Sequence, residues 1–364
     1  MKKTVLTVIM FSLFLGIFLA GCGSDAESVQ GTEGKKGTGS EQTSDVVFEL
    51  KYSTDFGPER TRSKLLEEAF GKIEERTNGR VKITPYYNGS LIQSNNVYQS
   101  VASGIADIAN YTLGTGGNIQ KFNEFLILPK MGAPGYGKIG PLYREIFEKF
   151  PEFQQEMQQT NTRWLLIDGY PNYQLHTIDK QVRVPDDLKG MTIIASGYNA
   201  QIVEAAGGAA VYMGPPDWYS SLERGVANGQ ITHWAVIGDM KTTELFTHYT
   251  LIGDGGFGSP GSGYIINLDT WNSLPPEFQA ILEEEFLWAE TENIKVEKVN
   301  MEEYMEQERQ AGDPIIELTP EEIEQWKQLA DPIIEKWIEE AENEGWPARQ
   351  AYEEFQKLVE EYDN

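Results

Sequence analysis

RSKLLEEAFGKIEERTNGRVKITPYY, residues 62–87, contains the alternation that decides the fold. Leu65, Leu66, Ala69, Phe70 and Ile73 recur at helical spacing, so residues 62–76 predict an amphipathic helix with one buried stripe. Asn78-Gly79 ends it, because both residue types accept the left-handed backbone that closes a helix. Residues 81–87 then predict a strand. Outward from this pair, residues 48–53 alternate apolar and polar side chains as a strand does, and residues 54–58 form a loop into the helix. Residues 95–103 predict a second helix and 107–111 a third strand. Strands alternating with helices in this order imply a mostly parallel sheet with helices on its faces.

A second series of the same kind follows a helical stretch at 138–158. Strands are predicted at 164–168, 191–195, 210–212 and 231–236, with helices at 199–206 and 217–227, and a further strand at 264–268. Two such series argue for two α/β lobes. From Pro275 a helical pattern runs to Gln310 and stops at Gly312-Asp313-Pro314. Unbroken, it would be about 50 Å long at 1.5 Å per residue, enough to brace both lobes. Thr319, Pro320 and Glu322 then predict a capped helix start.

Cys22 is the only cysteine, so the folded body needs no disulfide. Lys2 and Lys3 precede an apolar run that ends in Leu19-Ala20-Gly21-Cys22, the order of a secretion signal rather than of a folded helix. Residues 23–44 are rich in Gly, Ser, Thr and charge and predict a leash. The formal net charge is −26, and loss of Lys2 and Lys3 with the signal makes it −28. Such a surface excludes nucleic acid as a partner and repels anionic lipid. Three histidines, His176, His233 and His248, form no zinc-protease pair. No G-x-S-x-G run supports an esterase. The glycines at 253–258 match a dinucleotide fingerprint, but no helix follows them, so they predict a crossing between lobes. No cofactor, metal site or enzymatic activity is expected.

The Leu-Ala-Gly-Cys ending resembles the lipobox of bacterial lipoproteins, which implies a diacylated Cys22 at the outer face of the cell membrane. The body resembles the solute-binding proteins of TRAP (tripartite ATP-independent periplasmic) transporters, dicarboxylate-binding type. The resemblance rests on ERTNGRVKI (75–83), NGSL (88–91), SGIAD (103–107), VPDDLKG (184–190), WYSSLERGVANGQ (218–230) and WNSLPPE (271–277), in that order. It implies an α/β, two-lobe periplasmic-binding-protein-like fold with crossing strands and a long helix bracing both lobes. The expected division is a signal peptide at 1–21, a tether at 22–45, lobe I at 46–170 with 260–299, and lobe II at 171–259 with 300–364. The implied activity is capture of a small organic solute and its delivery to a membrane permease driven by an ion gradient. Two other readings stay open: a binding lipoprotein of an ATP-driven importer, and a surface hydrolase using paired carboxylates.

At the pocket the chain departs from the family pattern. Ile194 stands where relatives place a carboxylate-binding arginine, Gln174 at a second position that is often arginine, and Thr232 where an asparagine is usual. Asp55 replaces a neutral residue after the first strand. Tyr111, Tyr170, Tyr173, Tyr198, Trp218 and Trp234 crowd the same segments; Tyr173 and Trp234 are the aromatic pocket candidates set beside Tyr111. Arg60, Arg62 or Lys241 could restore the missing charge. Without it, the expected solute is neutral, polar-aromatic or cationic rather than a C4-dicarboxylate.

Overall fold

The alternating run at the start of the body forms strand β1 (Phe48–Ser53), which buries Leu50 and Tyr52. It pairs in parallel with β2 (Val81–Tyr86) and β3 (Ile108–Thr112). Strand β10 (Ser262–Asn267) returns late in the chain and fits antiparallel between β3 and β4 (Thr162–Ile167). A Cβ on Gly263 would strike the carbonyl of Leu166, so glycine permits this close pairing. The computed structural model describes residues 46–114 and 120–363. The signal, Cys22 and the tether lie outside the described residues.

The second sheet is mixed, in the order β11-β9-β5-β8-β6-β7. Its strands are β5 (Gln174–Thr177), β6 (Thr192–Ile194), β7 (Ala209–Val211), β8 (Gly229–Thr232), β9 (His248–Leu251) and β11 (Ile315–Glu317). Each sheet has helices packed on it, giving the two-lobe α/β architecture. The helices are α1 (Thr61–Arg76), α2 (Val97–Ala102), α3 (Ile139–Lys149), α4 (Glu152–Gln158), α5 (Gly197–Ala205) and α6 (Pro215–Glu223). After them come α7 (Trp234–Asp239), α8 (Leu268–Ser273), α9 (Pro276–Ala311), α10 (Pro320–Asn343) and α11 (Ala348–Asp363).

The stripe of α1 buries Leu66, Ala69, Phe70 and Ile73 against β1 and α9, where Phe278, Leu282 and Phe286 complete the core. Each such side chain contributes about 1.5–3 kcal/mol when fully buried. Helix α9 has 36 residues and ends on Gly312 in the left-handed conformation. It lies along α1 and β4 at one end and touches α7 and β11 at the other. Gly238 in α7 lets the Tyr304 ring of α9 lie directly on its backbone. The predicted cap of α10 is present: Glu322 N–H donates to Thr319 Oγ1 at 3.3 Å, and Thr319 N–H to Glu322 Oε2 at 2.8 Å.

Three expectations are corrected. The stretch 138–158 is two helices, because Pro151 cannot continue α3 and starts α4 instead. The predicted strand 231–236 stops at Thr232, and His233 caps helix α7. Strands β5, β9 and β11 lack an alternating pattern and were not predicted. The last two helices are shared between the lobes: α10 packs on α5, while α11 rests on α3.

Candidate binding cleft

Between the lobes lies a cleft of about 1040 Å³, bordered also by α9 and α10. Its charged centre begins at the first turn of α1. Arg62 is buried there, and its Nη1 donates to Asp168 Oδ2 at 2.8 Å and to Tyr264 OH at 3.3 Å. Nη2 lies 3.5 Å from Glu290 Oε2 on α9, and the guanidinium carbon stands 4.4 Å from the Tyr170 ring centre. Asp168 also accepts from Ser262 Oγ at 2.8 Å. Burial pushes the Glu290 carboxyl up to about 7, with Arg62 opposing. Burial works against the Arg62 charge too, but Tyr170, Tyr264, Glu290 and Asp168 around it keep its pKa well above the usual value.

The other cleft cations are paired as well. Arg60 Nη1 reaches Asp239 Oδ2 of the second lobe at 2.6 Å. Lys121 bridges Glu124 and Glu340, both at 2.9 Å, and Lys336 stands 3.9 Å from Glu340. Glu297 and Asp55 line the same cleft, and among the described residues neither has an ion pair. The cleft thus has more carboxylates than cations to balance them.

Of the residues singled out from sequence, Asp55 and Tyr173 line the cleft, as do Tyr170, Tyr198 and Trp218. Five others stand behind its wall. Tyr111 packs between Tyr98 and Trp164 at centroid distances of 5.3 and 5.7 Å, and it is the residues after it, Thr112, Leu113 and Gly114, that reach the cleft. Gln174 ties down the crossing loop, donating to the Gly253 carbonyl at 3.1 Å and accepting from Ile252 N–H at 2.7 Å. Thr232 is buried opposite Gln174 in the sheet. Ile194 and Trp234 belong to one core cluster with Leu222, Phe246 and Tyr249.

The reason is geometric. Aligned strand positions are right only if the side chain also faces the right way, and successive strand residues point to opposite faces. The turn into α7 carries Trp234 inward and leaves His233, Val236 and Met240 on the cleft at helical spacing. That i, i+3, i+7 spacing is in the sequence and would have found them. Lys241 is exposed and off the cleft, so it restores no charge there.

Residues 56–341 match the family model described as bacterial extracellular solute-binding protein, family 7 (DctP). The chain belongs to that family. A solute-binding protein of Chromohalobacter salexigens is 26% identical over 200 residues, covering 53% of this chain and 57% of the relative. The chain thus spans little more than half the length of that curated relative. A TRAP periplasmic solute-binding protein from Ochrobactrum anthropi shares the fold with a TM-score of 0.75 at 20% identity, over 87% of this chain and 97% of the other. One from Rhodoferax ferrireducens, in complex with copurified benzoate, gives a TM-score of 0.72 at 19% identity, over 87% and 99%. These relatives of the family 7 chain are solute-binding proteins.

Proposed function

We propose that this chain is the extracytoplasmic receptor of a TRAP-type importer. It captures a small organic solute as its two lobes close, and hands it to permease subunits driven by an ion gradient. A diacylated Cys22 holds it to the outer face of the membrane, and residues 22–45 give it reach. The observation that carries this reading is the large cleft with walls from both lobes, bridged by one helix that touches both. Contacts to both walls let a solute favour the closed state.

The charge pattern narrows the solute. A C4-dicarboxylate would bring two negative charges into a cleft whose cations are already paired, and each buried charge without a partner costs several kcal/mol. A neutral or polar-aromatic compound avoids that cost, and a monoanion such as the benzoate held by the Rhodoferax protein brings in half the charge.

A thermal-shift panel of benzoate, phenol, benzyl alcohol, benzylamine, succinate and malate tests this reading, alongside mass spectrometry of any solute that copurifies. A bound compound at ~100 Kd adds about 2.7 kcal/mol of stability. Stabilisation is expected from the neutral members or from benzoate. A response to succinate and malate alone would overturn the charge argument. X-ray scattering with the bound compound should show compaction, and an unchanged profile at saturation would contradict lobe closure.

The anchor has its own test. Cys22→Ala is expected to move the protein from the membrane fraction to the soluble extracytoplasmic fraction, with solute affinity unchanged. Retention at the membrane would mean that the apolar N-terminus itself is the anchor.

A further inference from the structure

His233 closes β8 and opens α7, and its ring lines the cleft although the residue is only 7% exposed. Its Nδ1 accepts the backbone N–H of Val236 at 3.3 Å, as the cap of α7. A nitrogen that accepts carries no hydrogen, so in the neutral ring the hydrogen sits on Nε2. The ring stays neutral: burial, with Arg62 and Arg60 nearby, lowers its pKa from 6.5 to about 3. Its orientation is fixed by Tyr173, nearly parallel at 6.1 Å and 11°, and by Tyr170 at 5.4 Å. Among the described residues, nothing accepts from Nε2. His176 is different, because its Nε2 meets the Thr232 carbonyl at 3.1 Å. The cleft wall thus presents a fixed N–H donor without a protein acceptor, and a solute that displaces water from it must supply an acceptor in its place.

We infer that His233 is a specificity-determining residue whose Nε2–H donates to an acceptor oxygen of the captured solute, a carboxylate, carbonyl or hydroxyl. This rests on the solute-capture reading above and deepens it. A fixed donor cannot face an ammonium group, so the cationic class drops out at this point of the cleft. The Nδ1 cap and the two tyrosine rings hold the donor in place before the solute arrives, which lowers the ordering cost of binding.

Two measurements on the purified full-length chain test the inference. The first is the nitrogen-15 spectrum of the imidazoles, with His233→Asn used to assign the His233 signals. A neutral ring protonated on Nε2 is expected throughout pH 5–8; protonation on Nδ1, or titration within that range, would overturn the inference. The second compares affinities for the panel compound that stabilises most, benzoate being the first probe. His233→Asn keeps an N-cap oxygen but lacks the reach of Nε2, so it should bind about tenfold more weakly, the usual effect of one lost hydrogen bond. His233→Gln, whose amide nitrogen extends towards the Nε2 position, should recover most of that loss. Wild-type affinity in both variants would overturn the inference. If no panel compound binds and none copurifies, solute capture is what fails, and the ring's protonation still decides the role of His233.

Discussion

Replacing Arg62 with methionine is expected to lower folding stability by about 3–5 kcal/mol, the usual result of breaking a buried ion pair from one side. The substitution leaves Asp168 with the Ser262 hydroxyl and Glu290 with a 3.3 Å contact from Gly169 N–H as their hydrogen-bond donors, and Arg144 as the remaining nearby cation. Urea unfolding of the two proteins measures the difference. A loss below about 1 kcal/mol would show that water or a rearranged partner satisfies both carboxylates. Glu290→Gln provides the contrast, because this carboxyl sits at the long end of the ion pair and its charged form is already disfavoured. Its pKa is raised in the folded protein, so between the ordinary 4.5 and about 7 the folded state binds more protons than the unfolded one. Stability therefore falls as pH rises through that window. The wild-type protein should show that added slope, and Glu290→Gln should lack it.

The second large effect is expected at Trp337. Its indole is 1% exposed and sits 6.3 Å from Phe122, nearly parallel to it, and 5.9 Å from Phe125, while Nε1 donates to the Lys121 carbonyl at 2.8 Å. Trp337→Ala removes the aromatic anchor that joins α10 to the first lobe and leaves that carbonyl without its donor. A loss of about 3–5 kcal/mol follows from the cavity and the lost transfer energy. Lys121 lies on the cleft wall, so solute affinity should fall as well. Calorimetric melting checks the first effect and titration with the bound panel compound the second. An unchanged melting temperature would mean that α10 is held by its other contacts.

What was legible in the sequence was local. The stripe of α1 could be seen because five apolar residues repeat within one helix, and the cap of α10 because Thr319 and Glu322 are three residues apart. Strands β5, β9 and β11 were not, since they are three or four residues long and bury polar groups such as His176, Thr177 and Thr250. His176 meets the Thr232 carbonyl and Thr250 donates to that of Val182, 56 and 68 positions away, which no short window contains. The same limit applied at the cleft. Asp55 follows a recognisable strand, so its neighbourhood could be guessed. Ile194, Gln174 and Thr232 needed the side-chain direction as well as the position. Arg62 was one of three candidates with Arg60 and Lys241, and what singles it out is Asp168, 106 positions away.

Helix α9 has a mechanical consequence. Its buried residues run from Phe278 to Asn293, and the turns beyond carry none. It is therefore rooted in the first lobe, while its C-terminal half is seated on the second through the partly buried Met301, Tyr304 and Met305. Over the roughly 27 Å from Asn293 to Ala311, at 1.5 Å per residue, a rotation of about 10° at the root displaces the tip by about 5 Å. A change of angle between the lobes must therefore be taken up by sliding at that seat or by bending of the helix, and a reporter on the exposed Val299 would sense it without touching the cleft.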